Sequence, residues 1–534
     1  MKTIQLLDCT LRDGGRLFDC KFNDYEIAEI CRRLSLSNVN IIEVGFIRDS
    51  IKVNYLKNST FFTSIEQINK FIPENTRTKF VAFVDYGMFD IGAIPDCTES
   101  GITGLRVGFT KKNYLNDKTG VIDTLKAIKE KGYTLFVQGV NSLGYSEEEY
   151  LDVIHMINDL HPYSFGIVDT YGAMFPEDVE RIFNLVNENM APDIALDFHA
   201  HNNKQLAFAN SISVTKMCNG TRTLIIDGTL EGMGKCAGNL NLELMASYLN
   251  DEYNYDYDFD EILDIIDEFI KPLKGKYSWG YSIPSLMGGL YKSHPNNIIY
   301  LANKFRLSCK DYKNIISMID PDLRQRYDYD NLEHLYWEYS DMKIDDTEAI
   351  EKLKVQYEGK KVLVKAPGHS IIDYNAELKQ FIEKNHPKVI TVSYTEPDSV
   401  CFTSNKRRYE KILKNKTTGM IVTSNILNGD DDNAVVINYN SLVDRRYPLY
   451  DNSVIMLLNL LKKLKVSGIY IAGFDGYKNN KNNYLDDSFN GGNKKEDCEL
   501  INQEISKMLT DFKNQVEPEI NVVMLTPSEY ELGE

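Results

Sequence analysis

The segment IQLLDCTLRDGG, residues 4–15, joins a short apolar run to Arg12, Asp13 and two glycines. Seven further apolar runs follow, and the stretches between them have the apolar spacing of surface helices: residues 39–45, 79–85, 103–108, 133–140, 164–169, 193–198 and 223–227. Eight strand–helix units predict an α/β fold, a (β/α)8 TIM barrel. A doubly wound open sheet would show the same alternation, so periodicity alone leaves both architectures open.

The residues at the ends of these runs favour the barrel. Nearly every run ends in polar side chains: Asp8, Arg12, Asp13, Glu43, Asp85, Arg106, Gln138, Asn141, Asp169, Thr170, His199 and His201. The carboxyl ends of the strands of a barrel form one mouth, whereas an open sheet would spread the same side chains apart. The sequence therefore predicts a barrel with a functional site at its mouth.

The segment DFHAHNN, residues 197–203, predicts two imidazoles on one face of a strand. Side chains two positions apart on a strand point the same way, so His199 and His201 can face one metal ion while Ala200 faces away. Asp13 would complete a three-point grip that leaves coordination positions open for a substrate. An isolated HxH pair is often an ordinary surface or core pair, so the metal prediction depends on Asp13 lying nearby.

A glycine-rich segment, GTLEGMGKCAGNLNLE, follows the eighth run at residues 228–243. It has neither GxGxxG spacing nor a GK[ST] ending, which makes it a weak nucleotide motif. We expect it to bring Asn239 toward the metal as a neutral oxygen ligand and Cys236 toward the mouth. Cys236 reads equally well as a small buried hydrophobe.

The composition of the chain excludes some classes of binding partner and predicts its cellular compartment. The chain has 534 residues, 43% of them hydrophobic, and a net charge of −18. Without a basic block, neither a nucleic acid nor an anionic membrane is expected to bind. No apolar stretch approaches the roughly 18 residues needed to span a bilayer and no leader pattern opens the sequence, so the protein is expected to be cytoplasmic. Nine cysteines without CxxC pairs are expected to be reduced thiols.

Five ordered motifs resemble the metallolyase barrel family that includes 4-hydroxy-2-oxoacid aldolase, hydroxymethylglutaryl-CoA lyase and isopropylmalate synthase. They are TLRDGG, IIEVGF, VDTYGAMFPEDV, DFHAHNN and GMGKCAGN, and the resemblance covers about residues 1–300. It implies a divalent ion, Mn or Mg, held by Asp13, His199 and His201. Asn239 occupies a fourth position that some members use.

The same resemblance implies catalytic roles for three residues. Arg12 would bind the 2-oxo group of a 2-oxo acid and stabilise its enolate. Glu43 would position a catalytic water or orient metal-bound groups, and the second role is favoured. Tyr291, in a segment similar to one that delivers a tyrosine proton donor in the aldolases, is the best match, with Tyr281 as runner-up. His294 could act there or cap a helix before a proline.

Two departures from the family pattern affect the chemistry. Arg16 stands where the aldolases normally have a histidine base, so a metal-bound water, Glu43 or Asp85 would have to move the proton. Arg16 could instead bind a substrate carboxylate or phosphate, and Arg106 and Thr170 are the other expected substrate-binding residues. The second departure is GKCAGN in place of the synthases' GERAGN, which removes an arginine.

These observations predict a divalent-metal-dependent aldolase or lyase that makes or breaks a C–C bond of a 2-oxo acid through a pyruvate enolate. Its partners would be a 2-oxo acid and an aldehyde, and a homodimer or higher homo-oligomer is expected. One alternative is an acyl-CoA-dependent condensing synthase on the same barrel. Another, of a different class, is a surface-glycan biosynthesis protein whose chemistry lies in its C-terminal domain.

Three regions are predicted: a barrel at 1–245, a helical extension over its mouth at 246–345, and a second, Rossmann-like α/β domain at 350–534. The charged stretch DDTEAIEKLKVQYEGKK is interpreted as a connector. The last domain faintly resembles bacterial glycan transferase-type domains. Its PGHS turn suggests a nucleotide or nucleotide-sugar site around Gly368, Ser370 and Asp475.

Overall fold

In the computed structural model of the chain, eight parallel strands close into a barrel: Ile4–Asp8, Ile41–Ile47, Lys79–Asp85, Gly104–Thr110, Thr134–Val140, Ser164–Asp169, Ala195–Ala200 and Leu224–Gly228. The first strand pairs with both the eighth and the second, which closes the sheet. A two-residue strand, Phe61–Phe62, pairs in parallel with the end of the second strand. The predicted TIM barrel is confirmed, and the first, third and sixth predicted runs coincide with the strands.

The structure describes residues 4–49, 58–74, 76–304, 307, 309–340, 344–413, 419–426, 434–478, 483–485 and 498–531. Contacts divide the chain into two units, Met1–Glu333 and His334–Glu534. Within the described ranges, no helix combines the length and apolar character needed to cross a membrane.

Helices alternate with the barrel strands, as the apolar spacing predicts. The longer described ones are Asp24–Leu36, Lys111–Asn116, Lys118–Glu130, Glu147–Leu160, Pro176–Asn189, Ala207–Cys218 and Leu242–Tyr253. The first begins at a reciprocal cap, in which Asn23 and Glu26 each accept a hydrogen bond from the other's backbone N–H. Shorter helical segments are Gly14–Phe18, Glu66–Asn69, Ile91–Ala93, Cys97–Glu99, Ser142–Gly144 and Leu230–Gly232.

The inside of the barrel is layered because alternate residues of each strand point inward. The deepest layer is apolar and contains Leu7, Ile41, Val81, Phe136, Ala195 and Ile225. Two residues further along the strands lies a charged and polar layer, formed by Glu43, Arg106, Gln138, Asp197 and Asp227. The residues at the strand ends then form the mouth.

Further helices follow the barrel: Phe259–Ile265, Ile266–Ile270, Lys271–Lys274, Ile283–Tyr291, Pro295–Lys304, Cys309–Met318 and Tyr329–Ser340. The helix Ile283–Tyr291 lies against the mouth. Asn203, in the loop after the seventh strand, donates its amide to the carbonyl of Ser285 at 2.8 Å. A Cβ on Gly289 would lie 3.1 Å from the carbonyl oxygen of Gly172, in the loop after the sixth strand.

The second unit contains a seven-stranded parallel sheet in the order Ala434–Ile437, Met420–Thr423, Val400–Thr403, Lys388–Val392, Lys361–Lys365, Gly468–Ala472 and Asn521–Met524. Its helices are Thr347–Tyr357, Ser370–Asp373, Asn375–Asn385, Lys406–Leu413, Tyr439–Ser441, Ser453–Lys463 and Cys498–Val516. The predicted second α/β domain is confirmed. The order reverses between Lys361–Lys365 and Gly468–Ala472, as in doubly wound sheets.

The stretch interpreted as a charged connector is a helix of this second unit. Leu353 and Tyr357 are buried in its core, and Ala349 and Ile350 pack against the same cluster. Apolar residues spaced three and four apart form one face of the helix, and its charged residues occupy the other. The charge of the segment therefore marks a solvent-facing side, not a linker.

Candidate metal centre at the barrel mouth

Three side chains from two strand ends converge at the barrel mouth. The Nε2 atoms of His199 and His201 lie 3.3 Å apart. Asp13 Oδ2 lies 4.0 Å from the first of these atoms and 3.6 Å from the second. Ala200, between the histidines, packs in the main apolar core. The alternation predicted for DFHAHNN thus places both imidazoles beside the carboxylate.

The donor set fits a divalent ion. An ion about 2.0–2.2 Å from its nitrogen and oxygen ligands holds neighbouring ligand atoms roughly 3–3.5 Å apart. The separations among Asp13, His199 and His201 are 3.3–4.0 Å, so a small movement of the carboxylate completes the geometry. Two imidazoles and one carboxylate leave open positions, as a catalytic site requires.

The protonation states of the three ligands also suit a metal. Burial lowers the pKa of His199 and of His201 to about 4, so both imidazoles are neutral near pH 7. Burial alone would raise the pKa of Asp13, but Arg12 and the two imidazoles outweigh it and hold that pKa well below its usual range. Neutral imidazoles and an ionised carboxylate bind metal without releasing a proton.

The RDGG segment forms a tight turn directly after the first strand. The backbone N–H groups of Arg12, Asp13 and Gly14 all donate to the carbonyl oxygen of Cys9, at 3.2, 2.9 and 3.2 Å. A Cβ on Gly14 would lie 2.8 Å from Met233 Cε, so glycine permits close packing against the loop after the eighth strand. This turn brings Asp13 beside His199 and His201, and Arg12 beside Glu43.

Arg12 is held between the ligand carboxylate and Glu43. Its NH1 donates to Asp13 Oδ1 at 2.8 Å, its Nε donates to Glu43 Oε2 at 2.5 Å, and its Cζ lies 4.6 Å from the centre of the Phe83 ring. Glu43 is fully buried. The carboxylate therefore fixes the Arg12 guanidinium, and the favoured role of Glu43 in orienting metal-bound groups stays a prediction.

Asn239 lies at the site, but its amide nitrogen faces the ligand carboxylate. Nδ2 donates to Asp13 Oδ2 at 3.1 Å and to the carbonyl of Met233 at 3.0 Å. Its Oδ1 is buried without a hydrogen-bond partner. Rotation of the amide would present this oxygen to an ion and break the bond to Met233, so the ligand role of Asn239 stays a prediction.

The glycine-rich loop reaches the mouth by folding tightly on itself. Gly238 has a φ of +76°, and a Cβ there would lie only 1.9 Å from the carbonyl oxygen of Gly232. Only glycine fits this position. Cys236 in the same loop is partly buried, and burial raises the pKa of its thiol to about 11, so it is a poor nucleophile near neutral pH.

Arg106 lies below the mouth, which contradicts its predicted role in substrate binding. It is fully buried in the charged layer, and donates to Glu43 at 3.2 Å, Asp197 at 2.9 Å and Asp227 at 2.6 Å. A guanidinium held by three buried carboxylates does not extend into the mouth, so the structure does not support the expected substrate contact. Arg106 instead pairs with the carboxylates of the layer beneath the candidate metal site.

Sequence reasoning missed two carboxylates in that layer. Asp227 Oδ2 accepts a hydrogen bond from His199 Nδ1 at 2.9 Å. This bond leaves Nε2 of His199 directed toward the proposed ion. Asp197 accepts from Gln138 at 2.5 Å, and burial raises the pKa of Asp197 to about 7. Strand alternation could have found Asp197, because it lies two residues before His199 on the same face.

Thr170, Tyr291 and Tyr281, the other predicted site residues, have different surroundings. Thr170 Oγ1 accepts a hydrogen bond from the backbone N–H of Asn141 at 2.8 Å, which joins the fifth and sixth strand ends. Tyr291 ends the helix on the mouth, where the Arg324 guanidinium lies 5.4 Å from its ring centre. Tyr281 is 56% exposed. The proposed substrate and proton-donor roles of Thr170 and Tyr291 remain predictions.

Two strand-end carboxylates are held by neighbouring groups. Asp85 Oδ2 accepts from Arg48 at 2.6 Å. Asp169 accepts from the backbone N–H groups of Ala173 and Met174, at 2.7 and 3.1 Å, and so shapes the loop after the sixth strand. Burial raises the pKa of Asp169 to about 6.

In the second unit, Gly368, Ser370 and Asp475 lie together at the carboxyl ends of two adjacent strands. The backbone N–H of Ser370 donates to Asp475 Oδ2 at 2.8 Å, and its hydroxyl donates to the other oxygen. A Cβ on Gly368 would lie 2.3 Å from the carbonyl oxygen of Gly473. The nucleotide or nucleotide-sugar role of this turn remains a prediction, as does the glycan-transferase resemblance.

The barrel half of the chain is similar in sequence to known aldolases. The 4-hydroxy-2-oxovalerate aldolase of Moorella thermoacetica is 23% identical over 315 residues, 58% of this chain and 90% of the relative. The enzyme of the same name from Carboxydothermus hydrogenoformans is 26% identical over 325 residues, with 58% and 90% covered.

A solved structure, the HMG-CoA lyase of Brucella melitensis, is 14% identical, with a TM-score of 0.41 over 52% of this chain and 100% of that one. The model of the HMGL-like family matches residues 3–268, which span all eight barrel strands and the three candidate metal ligands. This match identifies residues 3–268 as a barrel of the HMGL-like family.

Proposed function

We propose that the barrel is a divalent-metal-dependent aldolase that cleaves or forms the C3–C4 bond of a 4-hydroxy-2-oxo acid. The observation that carries the proposal is the convergence of Asp13, His199 and His201, with Arg12 fixed beside them. Relatives named 4-hydroxy-2-oxovalerate aldolase support the same reaction class. A bound ion, with Mn and Mg as the proposed choices, supplies Lewis acidity toward the 2-oxo acid.

Cleavage requires three movements of charge. The 4-hydroxyl passes its proton to a base, for which Asp85 at the end of the third strand is the proposed acceptor. The C3–C4 electron pair passes to the pyruvate half as an enolate, and C4 leaves as an aldehyde. The enolate then takes a proton at C3. Arg12 is the group of this chain that stabilises the enolate, because its guanidinium is fixed by Asp13 and Glu43 and needs no reorganisation as charge develops.

The proton donor at C3 is proposed to be Tyr291, on the helix that lies against the mouth loops. Thr170 is retained as a proposed substrate contact because it lies at the end of the sixth strand and is only partly buried. Glu43 acts through Arg12 and is not a catalytic base, since it is fully buried and bonded to two guanidinium groups.

The direct test uses 4-hydroxy-2-oxo acids of varied chain length, with Mn added. Release of pyruvate is measured by coupling it to lactate dehydrogenase. We expect metal-dependent release that a chelator abolishes. We also expect His199→Ala to lose both metal and activity, whereas His161→Ala, a matched change at a half-exposed histidine paired with Asp193, keeps both. Thiol release from an acyl-CoA and a 2-oxo acid, without aldol cleavage, would instead establish the condensing synthase.

A further inference from the structure

Arg16 presents a guanidinium to the mouth that the metal site does not use fully. Its Nε lies 3.4 Å from Asp13 Oδ1, a carboxylate that Arg12 already engages at 2.8 Å. The same Nε is buried and has no hydrogen-bond partner. Its Cζ lies 4.7 Å from the centre of the Phe46 ring, which holds the group in place, and its side chain is 36% exposed.

Lys235, in the glycine-rich loop that also carries Asn239, and His294, directly before the helix Pro295–Lys304, offer two further donors. Asn296 links them, because its Oδ1 accepts from Lys235 Nζ at 3.2 Å and its backbone N–H donates to His294 Nδ1 at 3.1 Å. Since Nδ1 accepts, a neutral His294 carries its proton on Nε2 and offers it as a donor. His294 therefore caps the helix Pro295–Lys304 and keeps a donor available.

The positive charge of Arg16 acts on both Lys235 and His294. Burial and then the charges of Lys235 and Arg16 lower the pKa of His294 to about 4. Burial and then Arg16 also lower the pKa of Lys235, although Asp13 and Asp19 act in the opposite direction. The side chain of Asp19 is 76% exposed and forms an ion pair with Lys21. Asp13 forms an ion pair with Arg12. An added anion would relieve this repulsion.

We propose that Arg16, Lys235 and His294 bind a second anionic group, a carboxylate or a phosphate, on the carbonyl partner of the reaction. The substrate aldehyde would then be an aldehyde acid or an aldehyde phosphate, not a plain alkyl aldehyde. This assignment rests on the proposed aldolase function. A planar arginine fork, an ammonium and an imidazole N–H together match the acceptors of either anion.

Matched aldehyde pairs test the substrate class in the direction of addition to pyruvate. Butanal is compared with 4-oxobutanoate, and glyceraldehyde with glyceraldehyde 3-phosphate, so that each pair differs by its anion. We expect kcat/KM to favour the charged member of at least one pair by about tenfold or more, and Arg16→Gln to lower that preference by about tenfold or to abolish it. Arg32→Gln, on the outer helix Asp24–Leu36 where it pairs with Glu29, should leave it unchanged.

Equal kcat/KM within both pairs, or a preference that survives Arg16→Gln, would overturn the assignment. Calorimetric titration with inorganic phosphate and with succinate tests the anion site even if no aldol reaction is found. We expect at least one of these probes to bind, and Lys235→Gln to weaken its binding about tenfold or more. Failure of both probes to bind, or equal binding by that variant and the parent, would reject the anion site independently of the aldolase.

Discussion

Asp227→Asn tests whether the buried carboxylate layer controls the metal site. One oxygen, Oδ2, accepts both from His199 Nδ1 at 2.9 Å and from Arg106 at 2.6 Å, whereas Oδ1 is buried without a partner. In the variant, an amide oxygen can keep both contacts, but a neutral acceptor gives roughly half the strength of a charged one. The amide NH₂ then occupies the unpartnered position, which leaves a buried donor unsatisfied.

Loss of such an orienting partner costs about 10- to 100-fold in metal affinity, or about 1.4–2.8 kcal/mol. We expect this weakening in a Mn²⁺ titration monitored by electron paramagnetic resonance of the free ion. Asp197→Asn is the matched control, because Asp197 pairs with Arg106 at 2.9 Å in the same layer but bonds Gln138 in place of a ligand histidine.

There is a second reason to expect that Asp197→Asn changes the Mn²⁺ affinity little. Burial and the neighbouring Asp227 raise the pKa of Asp197 to about 7, so this carboxyl is partly protonated at neutral pH and an amide resembles that state. Equal weakening by Asp227→Asn and Asp197→Asn, or undiminished affinity in the first, would refute the orienting role.

Three further predictions concern the same region. Arg106→Met leaves buried carboxylates without their cation and should lower the free energy of unfolding by about 3–5 kcal/mol in urea titration; a loss below about 1 kcal/mol would contradict the account. Because burial lowers the pKa of His199 and His201 to about 4, protons compete little with metal above that pH. Apparent Mn²⁺ affinity should therefore change less than about twofold from pH 7 to 5.5, whereas ligands titrating near 6.5 would weaken it by tenfold or more. Gly238→Ala places a methyl against the Gly232 carbonyl at a φ of +76° and should destabilise the fold by more than about 1 kcal/mol, which thermal unfolding would measure; an unchanged melting temperature would argue against the close approach.

Strand alternation made the histidine pair readable from the sequence, because His199 and Ala200 must face opposite sides of a strand. Strand alternation did not reveal how far below the barrel mouth a side chain lies. Arg106 was expected near a strand end because its apolar run stops at residue 108, but the strand continues to Thr110. Arg106 consequently lies in the middle layer, where Asp197 and Asp227 bind it.

Other features depend on contacts between distant parts of the chain. Lys235 and His294 are brought together by Asn296, and no spacing in the sequence predicts that link. The charged face of Thr347–Tyr357 similarly obscured its apolar face, which is buried only once the second sheet has formed. Local patterns thus predicted the strands and the convergence of Asp13, His199 and His201, whereas the proposed anion site required tertiary structure.

The most direct test of the central claim is metal-dependent exchange of the methyl protons of pyruvate with D₂O, followed by proton NMR with Mg²⁺ and without any aldehyde. This exchange requires reversible deprotonation of pyruvate at C3 and so reports formation of the enolate. We expect exchange that a chelator abolishes and that Arg12→Met slows by about 100-fold or more, because a fixed donor to the enolate is lost. Exchange at the rate of the protein-free solution, or exchange insensitive to the chelator, would contradict a metal-dependent enolate-forming site at this barrel mouth.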